Sequence, residues 1–303
     1  MNWKISVSKL VSDAKEEVVK LNLDTKQVKY SDKIKKFRDI NKISGDEELV
    51  RAFLLSRLVN ELGYTADRIE LEKEYPAGRK PIMTPRIDVI VRDKEGKAFL
   101  FIECKAPDKF ESDKQYIRGQ LFELAKLETN VKYLVYYTIE ETEKGLRDKL
   151  IIIEREKFAD YEEWIEKGSQ SIANELPSHY GKPKKKPLVV GGERDLVKRF
   201  EPNELKAVVT DLHNVLWGGG GTDDREIFNS LVKLILAKIQ DEYDRDTGED
   251  YHFQIIQHGD EIEPEEKLFE RINTLYRKAL TEQLNMVENL EQQFVINQQK
   301  FSY

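Results

Sequence analysis

The amino-acid sequence predicts a mixed α/β domain, a sheet flanked by helices, joined to a C-terminal domain made only of helices. Three observations carry this. The runs Arg86–Arg92 and Ala98–Lys105 alternate around a short Asp93–Lys97 turn, which is the pattern of a β-hairpin. Apolar residues at helical spacing precede that hairpin, and a further helix and two apolar strands follow it, the alternation an α/β sheet requires. From Pro202 onward the apolar residues recur at helical spacing alone. At 303 residues the chain is long enough for two domains, placed at 1–170 and 201–303 with a linker at 171–200.

Residues 1–40 read as an amphipathic, Lys-rich opening that packs on the first domain. Ser44–Glu47 reads as a capping box for a helix whose apolar positions are Val50, Phe53, Leu54, Leu58 and Leu62, and Gly63 stops that helix. Arg68–Tyr75 alternates like an edge strand, which Pro76–Gly78 breaks. In the hairpin, Gly96 can take the positive φ that closes the turn. Residues 111–128 read as a helix with Ile117, Leu121, Leu124 and Ala125 inward, Lys132–Thr138 as a strand, and Leu150–Ile153 as the last strand.

Asp88, Glu103 and Lys105 are the candidate site. Strand periodicity puts Glu103 and Lys105 on one face and Cys104 on the other. If Asp88 lies opposite Glu103, then Ile87, Val89 and Val91 share the reverse face with Leu100, Ile102 and Cys104 as one apolar stripe. Burial selects that register, because a one-residue slip would mix charges into the core. Two carboxylates side by side suit Mg²⁺ or Mn²⁺, and an adjacent ammonium can orient or help deprotonate an attacking water. A solvated strand face with a cross-strand ion pair is the alternative that the spacing leaves open.

The string Asp88, then Glu103-Cys104-Lys105, resembles the PD-(D/E)XK nuclease signature, with Ile87-Asp88 where that family often has Pro-Asp. The wider run of Glu47–Arg51, Arg86–Val89, Ile102–Pro107 and Gln120 resembles the amino-terminal nuclease domain of type I restriction endonuclease R subunits, over roughly residues 40 to 140. The resemblance implies a restriction-endonuclease-like fold and a Mg²⁺-dependent deoxyribonuclease, with Mn²⁺ as a substitute ion and double-stranded DNA as substrate. Asp88 and Glu103 would bind the metal, Lys105 would assist catalysis, and a Glu on the preceding helix would approach the metal. Glu47 is occupied by the cap, so Glu48 is the candidate for that third metal-site carboxylate, with an ordinary dipole-stabilising acid as the alternative. Gln120 stands for the family's Gln-x-x-x-Tyr helix, although Leu124 occupies the Tyr position.

A net charge of -7 is not the balance of a simple nucleic-acid binder, which leaves phosphate to metals and local basic patches. A single Cys excludes an intrachain disulfide framework and suits a reducing cytoplasm, and Cys104 is expected in the core. No apolar run approaches a membrane span and no signal peptide opens the chain, so a cytoplasmic location is expected. His179, His213, His252 and His258 share no metal-ligand spacing.

The stretch containing Lys182–Pro187 and Gly191-Gly192 reads as a solvated spacer whose basic run could also touch phosphate. Gly218–Gly221 follows a helix and lacks a Gly-Lys-Ser/Thr sequel, so it is a helix-to-helix turn rather than a phosphate loop. Residues 203 to 280 resemble the amino-terminal helical region of N6-adenine DNA methyltransferases and type I M subunits, without the catalytic Asn-Pro-Pro-aromatic motif or the S-adenosylmethionine loop. That resemblance implies methyltransferase, specificity or translocase domains or subunits as partners. The competing classes are a non-catalytic DNA-binding or subunit-docking module and a repair or junction nuclease of the same superfamily.

Overall fold

The computed structural model describes residues 2–75, 85–128, 130–142, 145–169, 171–192, 194–196, 224–258 and 261–283, together with 206, 208–210 and 212. The chain divides into two compact units, Met1–Ile165 with Ser169–Lys184, and Glu166–Gly168 with Lys185–Tyr303.

In the first unit the order is α1 (Trp3–Ser12), β1 (Val19–Asn22), β2 (Gln27–Tyr30), β3 (Lys35–Lys36), α2 (Asp46–Asn60), β4 (Ile69–Glu74), β5 (Arg86–Arg92), β6 (Ala98–Cys104), β7 (Tyr133–Thr142), β8 (Gly145–Glu154) and α3 (Tyr161–Glu166). β1 and β2 pair with each other, and β3 to β8 form a six-stranded mixed sheet in chain order. The pairs β3–β4 and β6–β7 are parallel and the others antiparallel. A mixed sheet with helices on both faces is the fold class that the sequence predicts.

Two cores sandwich the sheet. On one face α1, β1, β2 and α2 bury Val7, Tyr30, Leu54 and Leu58 against Val89, Val91, Leu100, Ile102 and Cys104. On the other, Ile117, Leu121, Phe122 and Trp164 cover Ile90, Phe101, Leu134 and Tyr136. Cys104 is fully buried, as expected. α2 buries ten of its fifteen residues, because it packs against α1 and β1 as well as against β6 and β7 of the sheet.

Several elements differ from the sequence reading. The capping box does not form: Gly45 is the N-cap of α2 with no side-chain cap, and Asp46, Glu47 and Glu48 complement the helix dipole instead. β4 is not an edge strand, because β3 pairs with it in parallel. Two residues are too short a strand to leave a periodic signal. The helix expected at 111–128 is a 3-10 turn (Ser112–Tyr116) followed by a π-helical turn (Arg118–Glu123). The wider turn lets Phe122 join Ile117, Leu121, Leu124 and Ala125 in the core. β7 and β8 run longer than expected as one hairpin.

The segment from 171 is not a free spacer in its first part. Ile172 N–H bonds Ile152 O at 2.9 Å, His179 N–H bonds Leu62 O at 2.9 Å, and Ala173 and Leu176 are buried in the first core. Gly63 at φ 74 ends the helical region as expected, and a Cβ there would meet the His179 ring. Gly96, at φ 80, closes the β5–β6 turn, and Asp93 Oδ1 accepts the N–H groups of Glu95 and Lys97 at 2.9 Å each.

In the second unit α4 (Asp224–Asp244) packs on α5 (Glu265–Lys278) through Ala237, Leu275, Tyr276 and Leu280. The region is helical but not purely so: β9 (Gln257–His258) and β10 (Glu261–Ile262) make a short hairpin. The strand break at Pro76–Gly78 and the glycine run Gly218–Gly221 lie outside the described residues, as does most of the helix expected at Leu205–Leu216. Among the described residues no helix is long and apolar enough to cross a membrane.

Candidate active site

β5 and β6 pair Val89 with Ile102, Ile90 with Phe101 and Val91 with Leu100. One further step along that register sets Asp88 opposite Glu103. There the ladder stops. The N–H of Cys104 donates to Asp88 Oδ2 at 2.8 Å, so a side chain takes the place of main-chain pairing where the strands part.

The apolar stripe is broken at one residue. Ile87 is fully buried but joins the opposite core, with Tyr75, Ile90 and Phe101. The cause lies on β4, where Glu72 sits at φ 54 and the ladder passes from Leu71–Val89 to Lys73–Ile87 without a Glu72–Asp88 pair. That irregularity turns the start of β5 and leaves Asp88 at the switch between faces.

Lys105 follows β6 and places its Nζ 2.7 Å from Glu103 Oε1 and 3.8 Å from Glu47 Oε1. Glu103 and Lys105 are buried, while Glu47 is half-exposed. Burial pushes the Glu103 carboxyl well above its usual range, the nearby charge of Asp88 pushes it further, and the Lys105 ammonium opposes both. For Lys105, burial alone would lower the ammonium, but the charge and hydrogen bond of Glu103, then Glu47 and Asp88, raise it. It is therefore protonated at neutral pH.

The structure separates the two acids of the α2 first turn. Glu47 reaches Lys105. Glu48 turns the other way: its Oε1 accepts the Tyr30 hydroxyl and its Oε2 lies 3.6 Å from Arg51 Nη2. Arg51 is buried, donates to Glu72 Oε1 at 2.6 Å and stands 3.5 Å from Asp88 Oδ1. Burial raises the Glu48 carboxyl, with Arg51 and the Tyr30 hydrogen bond working against it. Gln120 lies in the π-helical turn with no hydrogen-bond partner for its Oε1 among the described residues. Among the described residues no hydrogen bond joins it to Asp88, Glu103 or Lys105. Tyr30 and Arg51 were not among the sequence candidates. For Arg51, a charge inside the otherwise apolar run Leu49–Leu55 was the available signal.

Among the described residues no three carboxylate, imidazole or thiol groups are gathered to hold an ion. Asp88 and Glu103 could hold one as a pair. That fits Mg²⁺, which takes one or two carboxylates and fills its remaining positions with water and phosphate oxygens. The buried Glu103 beside the like charge of Asp88 is a hard-oxygen pair whose negative charge a cation would relieve.

Residues 46–141 match the family model described as Type I restriction enzyme R protein N terminus (HSDR_N). This part of the chain is similar to that R-protein domain. The match runs from the first turn of α2 into β7, and so spans Glu47, Glu48, Asp88, Glu103, Lys105 and Gln120. It leaves out α1, β1 to β3, β8, α3 and the second unit. The R-protein similarity therefore covers the carboxylate site but not Tyr30, which closes over Glu48. No curated protein matches the chain.

Proposed function

We propose that the first unit is a metal-dependent deoxyribonuclease of a restriction-modification system, hydrolysing phosphodiesters of double-stranded DNA. The observation that carries this reading is the meeting of Asp88, Glu103 and Lys105 at the end of β6, inside the segment similar to the R-protein N terminus. Asp88 and Glu103 would hold Mg²⁺ or Mn²⁺. Bound there, the ion would polarise a phosphoryl oxygen and lower the pKa of a bound water.

The chain's own groups divide the remaining work. A protonated Lys105 orients the attacking water as a donor and offsets charge on the phosphorane-like transition state. Glu47 and Glu103 hold that ammonium between them. Arg51, braced by Glu72, steadies Asp88, while Glu48, held by the Tyr30 hydroxyl, offers Arg51 a further carboxylate. In this proposal Glu48 takes no part at the metal, and Glu47 supports Lys105 rather than the ion. Target recognition, translocation and methylation belong to other domains or subunits, and residues 201–303 would be the docking region, in line with their methyltransferase-like pattern.

The test is cleavage of duplex DNA by the purified chain with Mg²⁺, beside Lys105→Ala. Loss of the ammonium is expected to lower the rate about 10²–10³-fold while Mn²⁺ still binds, because the ammonium is no ligand. Unchanged cleavage by the variant would place the chemistry elsewhere. One observation favours the rival reading of a non-catalytic binding module: Arg51 and Lys105 already supply cations to Asp88 and Glu103. Failure of Mn²⁺ to bind would decide for it.

A further inference from the structure

We propose that Arg38 and Arg86, anchored on the buried Glu72, form a clamp that grips a phosphodiester of the DNA backbone beside Asp88. The proposal rests on the nuclease reading above and names residues that position its substrate. Glu72 is 1% exposed, yet it adopts φ 54, a backbone conformation that residues other than glycine seldom take. Its Oε1 accepts from Arg51 Nη1 at 2.6 Å. Its Oε2 lies 2.7 Å from Arg86 Nε and 3.2 Å from Arg38 Nε.

Three guanidinium groups therefore surround one carboxylate. Arg51 has two further carboxylates in reach, Glu48 and Asp88. Arg38 and Arg86 have none: among the described residues their ion pairs are with Glu72 alone. These two cations share one ion-paired anion, with the exposed Glu74 opposite Arg86 in the ladder, and both stand at the surface, since the Arg38 and Arg86 side chains are 39% and 38% exposed. Among the described residues neither Nε makes a hydrogen bond to Glu72 Oε2, so both guanidinium groups are held by charge and keep their donors for a second acceptor, and such forks match phosphate oxygens.

The location fits the substrate. Arg86 stands two residues before Asp88 at the start of β5. Through Arg51, Glu72 also braces Asp88, so clamp and candidate metal site share one hub. Arg38 lies before the segment similar to the R-protein N terminus, which begins at residue 46.

Binding of a short labelled duplex, followed by fluorescence anisotropy in EDTA across a KCl series, tests the clamp without cleavage. The 303-residue chain should show an affinity that falls with salt. Arg38→Ala/Arg86→Ala should lower the magnitude of the log–log salt slope by about 2, and each single variant by about 1, if the double variant does not fold. Duplex binding by the wild type with an unchanged slope in the variants overturns the clamp and leaves the nuclease reading standing. No duplex binding by the wild type overturns both. Cleavage lost in Lys105→Ala with the salt slope kept separates the chemistry from the grip.

Discussion

The Cys104 amide donates to Asp88 Oδ2 at 2.8 Å, so the carboxylate on β5 is fixed by the backbone of the strand that carries Glu103 and Lys105. The two candidate ligands are thus tied together through main chain rather than through flexible side chains. A site held this way is organised before substrate arrives, which is where positioning gains its rate.

Asp88→Ala should remove cation binding. With Mn²⁺ at a hundred times its dissociation constant, the wild type should gain about 2.7 kcal/mol, or roughly 5–10 °C in Tm for a domain of this size. The variant should show no ion-dependent shift in differential scanning calorimetry. Equal shifts in both proteins would remove Asp88 from the ligand set.

Glu47 and Glu48 should separate by measurement. Glu48→Ala strips the Tyr30 hydroxyl of its acceptor and Arg51 of one counter-charge, and should cost about 1–3 kcal/mol of stability. Glu47→Ala touches a half-exposed side chain and should leave stability within about 0.5 kcal/mol. Cleavage should nevertheless fall about 10²-fold, because Lys105 loses one of its two supports. Urea melts together with single-turnover cleavage distinguish the pair, and the reverse pattern would return the supporting role to Glu48.

Stability of the metal-free protein should pass through a maximum in mild acid. Burial raises the carboxyls of Glu103, Glu47 and Glu48 above their usual value of 4.5, so their protonation favours the fold. That contribution is fully present below 4.5 and is lost as pH rises through the raised values. Glu128 acts in the opposite sense: burial would raise it, but hydrogen bonds from Arg92, Lys73 and Tyr75 hold it at about 2. Its contribution is present above 4.5 and disappears as pH falls toward 2. Thermal melts in EDTA should therefore rise from neutral pH toward about 5 and drop below about 4. A steady fall from neutral pH downward would contradict the buried state of Glu103.

The sequence by itself determined the hairpin, its register and the placement of Glu103 and Lys105 at a strand end. Those follow from period-two alternation and from the Asp93–Lys97 turn, both of which are local. It also determined the burial of Cys104 and the helix carrying Glu47 and Glu48. Tertiary structure decided which of those two acids faces Lys105. Adjacent residues on a helix differ by about 100° in direction, and the direction of the site depends on how α2 lies on the sheet. It decided that Tyr30, from a segment with no readable role, closes over Glu48, and that two-residue β3 turns β4 from an edge into an interior strand. Glu72 is the clearest case. Nothing in Ile69–Glu74 marks one of its three glutamates as a buried hub. Only packing brings Arg38, Arg51 and Arg86, distant in sequence, onto a single carboxylate.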